Sequence, residues 1–534
     1  MMPASTSARI RPNGSADLPA DEAAGLNQSR ISLSLPKRTS ISWLTWLGLA
    51  GVLGLGLVIR MVGLNQTGFN TDEAVYAGQA AGILNDLELK PFFPIFRAHP
   101  LLFQFLLALT YSFTGVSDYT GRMVSVIIGA LTVAATFALG KTLYGAKTGL
   151  LAALFMALMP YHVVVTRQVL LDGPMTLFST FAVCVLAQYA LTHSARWLYA
   201  AGVLMGLTFL AKETGIILIG AVYLFLALNP SINLRLRDLV IATLLCLALI
   251  AIFPLVISLS GSARTGQNYL IWQLLRRPNH GWEFYAVTVV PMVGVLLVLS
   301  AIAGLVTRWK QRTWRETLLV VWIIVPVMFF QLWSVKGFQY LLPAMPPLAV
   351  LSAVACTGWM DRAGCVLRVR RLRLAWRWLG LAGAVIVALS LAVPSGVVVL
   401  AAPDVRGLAG AGGLPGGRET GLWFKQNTVK DAQVLAVGPA IANLIQFYGH
   451  RKTHMLSISI NPLERNPAYD PIVNPDLELR KGEIHYIVWD AYSAGRSRFF
   501  SNKLLKYVQR YNGRPVHAEF VGDREIIVVY EVHP

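Results

Sequence analysis

Long apolar runs separated by short charged segments occupy most of residues 42–402. A transmembrane helix needs roughly 20 consecutive apolar residues. Runs that approach or reach this length lie at 42–62, 122–140, 148–166, 173–192, 197–211, 214–229, 239–259, 285–306, 316–333, 338–357 and 378–402. A further run at 101–113 is shorter, which favours an interfacial or re-entrant helix. The pattern predicts an α-helical polytopic membrane protein with about eleven transmembrane helices.

The pattern changes after residue 402. Residues 403–417 are rich in glycine, which predicts a flexible linker. Helix-like and strand-like segments alternate through residues 418–534, which predicts a small α/β domain. The strands are expected near 432–437, 484–489, 515–521 and 525–532. At the other end, residues 1–41 are rich in Ser, Ala and Pro, which predicts a disordered N-terminus.

The composition excludes an ordinary soluble protein. Hydrophobic residues make up 55% of the chain and charged residues 14%, whereas soluble domains carry about 25% charged residues. The formal net charge of +19 would suggest nucleic acid as a partner in a soluble protein. In a membrane protein, however, Lys and Arg collect in the cytoplasmic loops. We therefore read the charge as a signal of topology and expect no nucleic-acid partner.

The basic clusters give the direction of the chain. If 101–113 does not span, the clusters at 308–315 and 362–377 fall on the same side as the basic N-terminus. The positive-inside rule then predicts a cytoplasmic N-terminus, with residues 418–534 outside the cytoplasm. The expected location is the plasma (inner) membrane, with residues 63–121 forming the first outer loop.

Charged residues beside the spans converge on this outer face. Ionisable groups at membrane depth are costly and usually functional. The set consists of Asp72, Glu73, His99, Arg122, Arg167, Asp172, Lys212, Glu213 and Lys336. Each has an ordinary structural explanation when taken alone: Thr71 and the acids after it can begin a helix, and the cations can snorkel. The convergence of carboxylates and cations on one face predicts a functional site there.

Short motifs around these residues resemble, in order and spacing, the GT-C class of integral-membrane glycosyltransferases. The nearest branch is family 39, the protein O-mannosyltransferase-like group that borders the aminoarabinose transferases. The motifs are Asp72–Ala77, His99–Pro100, Arg122 with Ser125 and Gly129, Arg167–Asp172, Lys212–Gly215, and Lys336 leading into Tyr340–Pro346. Together they cover residues 42–357. One departure is Leu101, where many relatives carry a second proline after the His-Pro pair.

The resemblance implies a GT-C-like catalytic domain over residues 42–402. Such enzymes move a sugar from a polyprenyl-phosphate donor to an acceptor hydroxyl on the outer face, with inversion. The hydroxyl needs a carboxylate base, and the departing phosphate needs fixed cations. The carboxylates expected to be catalytic are Asp72, Glu73 and Asp172, with Asp72 favoured as the base. The groups expected to bind the donor phosphate are Lys212, Arg122, Arg167, His99 and Lys336.

Several points stay open at this level. A divalent metal ion held by Asp72 and Asp172 is one candidate cofactor. The acceptor is a protein, a lipid or a cell-envelope glycan. Two other functions compete: a transporter or lipid flippase, which predicts charges through the midplane and internal repeats, and a non-catalytic envelope assembly protein. Neither repeats nor midplane charges are evident in the sequence.

Overall fold

The computed structural model describes residues 42–95, 99–261, 263–365, 370–401 and 413–534. The expected disordered segment 1–41 and most of the expected linker 403–417 lie outside the described residues. The α-helices, α1 to α21 in chain order, are Trp43–Met61, Thr71–Ile83, Leu102–Thr114, Asp118–Tyr144, Ala146–Leu158, Pro160–Val165, Asp172–Thr192, Ala195–Ala211, Ile216–Leu228, Leu236–Leu259, Ala263–Leu275, Val290–Val293, Val295–Arg308, Trp314–Leu332, Met345–Cys365, Arg370–Leu400, Gly417–Asn427, Pro439–Leu444, Pro475–Arg480, Ala491–Arg496 and Arg498–Arg510. Short 3-10 and π turns lie at Glu213–Gly215, Tyr285–Val289, Trp309–Gln311, Phe338–Ala344, Ile445–Gly449 and Pro462–Glu464.

Helices occupy every one of the predicted apolar runs, so the chain is a polytopic α-helical membrane protein. Among the described residues, seven helices are long and apolar enough to cross a membrane. An eighth span results if the pair Tyr285–Val293 and Val295–Arg308, bent by 85° at Gly294, is counted as one. Shorter apolar helices, α5, α8 and Glu213–Leu228, fill the other three runs. The short run predicted at 101–113 is the helix α3.

Small residues let the membrane helices approach closely. On α4, a side chain at Gly140 would place its Cβ 2.9 Å from the Gly149 Cα on α5. On α8, a Cβ at Gly202 would collide with the backbone of Ala242 on α10. Such small-residue contacts are how helices pack in a lipid environment, where the hydrophobic effect does not drive helices together.

A five-stranded sheet organises the C-terminal part. The strands are β1 Gln433–Ala436, β2 Lys452–Met455, β3 Tyr486–Asp490, β4 Arg514–Val521 and β5 Arg524–Glu531. Their order is β2-β1-β3-β5-β4, with β2, β1 and β3 parallel and the β5 and β4 pairings antiparallel. The α/β class is confirmed, and the four expected strands are present. Strand β2 was not predicted, because three of its four residues, Lys452–Met455, are polar.

The C-terminal part packs on the first segment after α1. The Tyr448 hydroxyl accepts a hydrogen bond from the Phe69 amide at 2.8 Å and donates to Asp118 at 2.6 Å. Phe69 itself is fully buried and packs edge-on against Phe447. Because these contacts reach both the start of α2 and the start of α4, the sheet domain and the helical part meet at the predicted site.

Candidate functional site

The first turn of α2 carries the two neighbouring carboxylates Asp72 and Glu73. Asn70 is the N-cap: its side chain accepts from the amides of Asp72 and Glu73 at 2.9 and 3.0 Å. The Glu73 carboxylate accepts in return from the Asn70 amide at 2.9 Å, which completes a capping box. Thr71, which the sequence offered as the start of a helix, is the first helical residue. Consecutive helical residues point about 100° apart, so the two carboxylates enter different surroundings.

The side chain of Asp72 is half-buried, and its carboxylate has no bonding partner among the described residues. With the described residues, its carboxylate forms neither a hydrogen bond nor an ion pair; only its amide is bonded, to Asn70. Burial raises the pKa of the Asp72 carboxyl above its ordinary value, because charge is poorly solvated there. Four basic side chains nearby oppose this rise: Lys212, His99, Arg496 and Arg276. A carboxylate that is surrounded by cations but paired with none is available to a substrate.

A buried ion pair lies next to Asp72. The Lys212 ammonium contacts both carboxylate oxygens of Asp172, each at 2.8 Å. Lys212 is 5% exposed and Asp172 is 2% exposed, and the ammonium lies 4.6 Å from the centre of the Tyr340 ring. An ammonium has three N–H groups, so Asp172 can occupy two of them and leave one for a ligand. The pair holds a positive group at a fixed position without burying net charge.

His99 is fixed between a carboxylate and a phenol. Its Nδ1 lies 2.8 Å from Glu213 Oε2, and its Nε2 lies 3.4 Å from the Tyr269 hydroxyl. Tyr269 in turn accepts from Gln273 at 2.5 Å. A carboxylate on one ring nitrogen fixes the orientation of a histidine. His99 is also one of the groups that act on the Asp72 carboxyl, and its expected role in binding the donor phosphate stays a prediction.

Glu73 and Arg122 form a separate, saturated pair. Glu73 is fully buried, and its oxygens accept from Arg122 Nε at 2.9 Å, Arg122 Nη2 at 2.8 Å, the Val169 amide at 3.0 Å and the Asn70 amide. The other Arg122 N–H groups donate to the carbonyls of Leu64, Thr67 and Gly68. All five guanidinium donors are used. The pair anchors α2. The expected catalytic role of Glu73 and the expected phosphate-binding role of Arg122 stay predictions, and because these groups are already engaged with each other we do not include them in the proposed reaction.

Two predicted phosphate ligands lie in other surroundings. Arg167 donates to the Ile59 carbonyl at 3.3 Å. Lys336 is 6% exposed, with its ammonium 3.4 Å from the Trp333 carbonyl and 5.8 Å from the centre of the Trp282 ring. Neither contact brings the side chain to Asp72 or Lys212. Of the eight residues with a predicted catalytic or phosphate-binding role, the structure brings together Asp72, His99, Asp172 and Lys212.

The residues do not fit the metal ion that the sequence left open. No group of three or more His, Cys, Asp or Glu side chains within the described ranges could hold one. Asp172 already pairs with Lys212, whose positive charge would repel a divalent cation. We therefore assign no metal to Asp72 and Asp172.

Sequence reasoning gave no role to several residues of this site. Glu213 is among the charged residues expected at the outer face, but the sequence assigned no role to it. Tyr269 lies on α11 and Arg276 directly follows that helix. The only signal in this part of the sequence was a basic pair, Arg276–Arg277, outside the spans. Arg496 lies in the C-terminal domain, which carries no motif, and nothing in the sequence pointed to it.

Comparison with known proteins gives the following matches. Residues 98–257 match the family model described as dolichyl-phosphate-mannose-protein mannosyltransferase. The undecaprenyl phosphate-α-4-amino-4-deoxy-L-arabinose arabinosyl transferase of Pectobacterium carotovorum subsp. carotovorum (strain PC1) is 30% identical over 298 residues, 52% of each chain. The enzyme of the same name from Serratia proteamaculans (strain 568) is 27% identical over 45% of this chain and 46% of its own. The chain thus spans about half the length of the curated relatives it matches.

Solved structures match over much more of the chain. ArnT from Cupriavidus metallidurans, in a crystal structure bound to undecaprenyl phosphate, has a TM-score of 0.68 at 15% identity, covering 92% of this chain and 98% of its own. The archaeal oligosaccharyltransferase AglB from Archaeoglobus fulgidus, in complex with an inhibitory peptide and a dolichol-phosphate, has a TM-score of 0.58 at 14% identity, covering 88% and 73%. The ArnT match includes the C-terminal domain as well as the membrane helices, since it leaves out only 8% of this chain.

Proposed function

The chain has the fold of the GT-C class of integral-membrane glycosyltransferases, and from this premise we propose that it transfers a sugar from a polyprenyl-phosphate donor to an acceptor hydroxyl. The observation that carries the proposal is the unpaired Asp72 carboxylate beside the buried Lys212–Asp172 pair. The two groups supply what the reaction needs, a base and a fixed cation. The undecaprenyl phosphate in the ArnT structure supports a lipid-phosphate donor.

The reaction follows from the roles of these groups. The acceptor oxygen forms a bond to the anomeric carbon while the bond from that carbon to the phosphate oxygen breaks. The acceptor proton passes to Asp72, and the electron pair leaves with the lipid phosphate. Lys212 stabilises the negative charge that develops on the phosphate, with Asp172 holding the ammonium in place. Attack from the face opposite the leaving group inverts the anomeric configuration.

Orientation is part of the proposal. We place the N-terminus in the cytoplasm and the C-terminal domain outside, in the plasma (inner) membrane, because the basic clusters favour that direction. Single cysteines at Asn233 and Lys310, in a background without the four native cysteines, should be protected from an impermeant thiol reagent in intact cells. A cysteine at Asn502 should react. Labelling of Asn233 with protection of Asn502 would reverse the topology.

The activity is tested by reconstitution. Mass spectrometry of glycans and glycolipids in a deletion strain identifies the product that is lost, and with it the sugar. Purified protein in lipid nanodiscs should then transfer that sugar from its polyprenyl phosphate to the acceptor, giving a product of inverted anomeric configuration. Movement of the intact sugar-lipid across proteoliposomes, without cleavage of the sugar–phosphate bond, would instead support the flippase.

A further inference from the structure

We propose that helix α20 of the C-terminal domain forms the acceptor side of the site, with Arg496 binding an anionic group of the acceptor beside Asp72. This inference rests on the proposed function, and it assigns a specific role to a domain that carries no recognisable motif. The domain would then be part of the active site, and Arg496 would help to decide which acceptor is used.

The C-terminal domain is docked directly at Asp72. The hydroxyl of Thr71, the residue before Asp72, donates to the Ala440 carbonyl on α18 at 3.3 Å. Helix α18 packs both on α2 and on α20. The chain of contacts from Asp72 to α20 therefore runs through a single short helix, and a shift of the domain would move α20 relative to the base.

The same domain also contacts the segment on the other side of the site. Helix α11 packs against the turn Pro462–Glu464, where Arg277 pairs with Glu464 at 3.6 Å. The neighbour of Arg277, Arg276, is one of the cations that oppose the raised pKa of Asp72. The domain therefore touches both outer segments that supply the site, α2 and α11.

Arg496 has unused donors. It is exposed, and its Nη1 donates to the Tyr492 hydroxyl at 3.2 Å, with the guanidinium 5.5 Å from the centre of the Tyr492 ring. It forms no ion pair with any carboxylate of the described residues. Burial raises the pKa of Asp72, and Arg496 is one of the four cations that oppose this rise. Burial lowers the pKa of His280, and the charge of Arg496 adds to that effect. Most of the five N–H groups of the guanidinium are therefore available to a ligand.

Chemistry and access assign this group to the acceptor. A guanidinium fork recognises a phosphate or a carboxylate through paired hydrogen bonds. An anionic group would be repelled by the Asp72 carboxylate unless a nearby cation offset the negative charge, and Arg496 is one of the cations that act on Asp72. The donor reaches the site from the bilayer, where its tail stays, whereas α20 belongs to the domain outside the spans. Its ligand is therefore the acceptor.

A residue-resolved test that needs no activity uses phenylglyoxal, which modifies free arginine side chains. With the full-length protein, inorganic phosphate should slow the modification of Arg496, read by peptide mass spectrometry. Arg498 is the internal control, because it is also exposed and lies two residues away on α21. Equal modification rates for Arg496 with and without phosphate would overturn the proposal, even if the wild-type protein showed no transferase activity.

A kinetic test separates acceptor from donor. Arg496→Gln should raise the acceptor KM by roughly tenfold to a hundredfold, the equivalent of one lost charge-assisted hydrogen bond, while the donor KM stays unchanged. Arg496→Lys should recover part of the loss, and the control Arg498→Gln should behave as wild type. An unchanged acceptor KM, or an equal increase in the donor KM, would contradict the assignment. Failure of the wild type to transfer any sugar would count against the proposed function instead.

Discussion

Asp72 and Glu73 are adjacent on α2, yet their surroundings are opposite. Glu73 is fully buried and accepts four hydrogen bonds, two of them from Arg122. Asp72 is half-buried, and with the described residues its carboxylate accepts none. The two carboxylates share a capping interaction at the helix start and then diverge by about 100° around the helix axis.

The contrast distinguishes a carboxylate with a structural role, Glu73, from a neighbouring carboxylate that is available to react, Asp72. A carboxylate with every lone-pair position filled can fix the backbone but cannot accept a proton from a substrate. A carboxylate with cations nearby and no bond to any of them keeps its reactivity. The Glu73–Arg122 pair positions α2, and α2 in turn presents Asp72 to the Lys212–Asp172 pair.

The largest effect on folding is expected from breaking the saturated pair. Arg122→Met leaves Glu73 buried without its counter-ion, and removing one partner of a buried pair typically costs about 3–5 kcal/mol. We expect strongly reduced expression and a markedly lower Tm. The control Glu88→Gln changes an exposed carboxylate whose ion pairs are at the surface, so its effect should stay below about 1 kcal/mol. Equal melting temperatures for the two variants would contradict the structural role of the Glu73–Arg122 pair.

A double variant at Lys212 and Asp172 tests whether Lys212 binds the donor or only neutralises Asp172. Lys212→Gln removes the cation for the donor phosphate and leaves Asp172 buried alone, so both donor binding and stability should fall. A charge-assisted hydrogen bond is worth about 1.5–3 kcal/mol, or roughly tenfold to a hundredfold in donor affinity. Adding Asp172→Asn should restore most of the stability but none of the donor affinity. Recovery of donor binding in the double variant would contradict the role of Lys212.

The sequence was sufficient for the fold class and for part of this site. The apolar runs predicted the helices because a helix in lipid must satisfy its backbone internally and present apolar side chains, and the ordered motifs were enough to resemble the GT-C class. The sequence could not separate Asp72 from Glu73, since the partner of Glu73, Arg122, is 49 residues away and its pairing depends on tertiary packing. Arg496 is further still, and only the docking of the C-terminal domain brings it close.

The smallest effect concerns the pH dependence of transfer. The base must be deprotonated, so the transfer rate falls as the pH drops below the pKa of Asp72. Because burial raises this pKa, the fall should begin at a higher pH than an exposed aspartate would give. Arg496 opposes this rise. Arg496→Gln should therefore shift the acidic limb of kcat to higher pH, while Arg498→Gln leaves it in place. A shift to lower pH would have the wrong sign for a cation near the base.

The central claim is that Asp72, and not its neighbour, is the base. The direct measurement is kcat for sugar transfer by purified Asp72→Asn, with Asp431→Asn, an exposed aspartate of the C-terminal domain, as the matched control. Asparagine keeps the size of the side chain and cannot take up the proton, so we expect a loss of about 10²–10⁴-fold, with Tm and donor affinity close to those of the control. Transfer by Asp72→Asn within a few-fold of wild type, at equal thermal stability, would contradict the account.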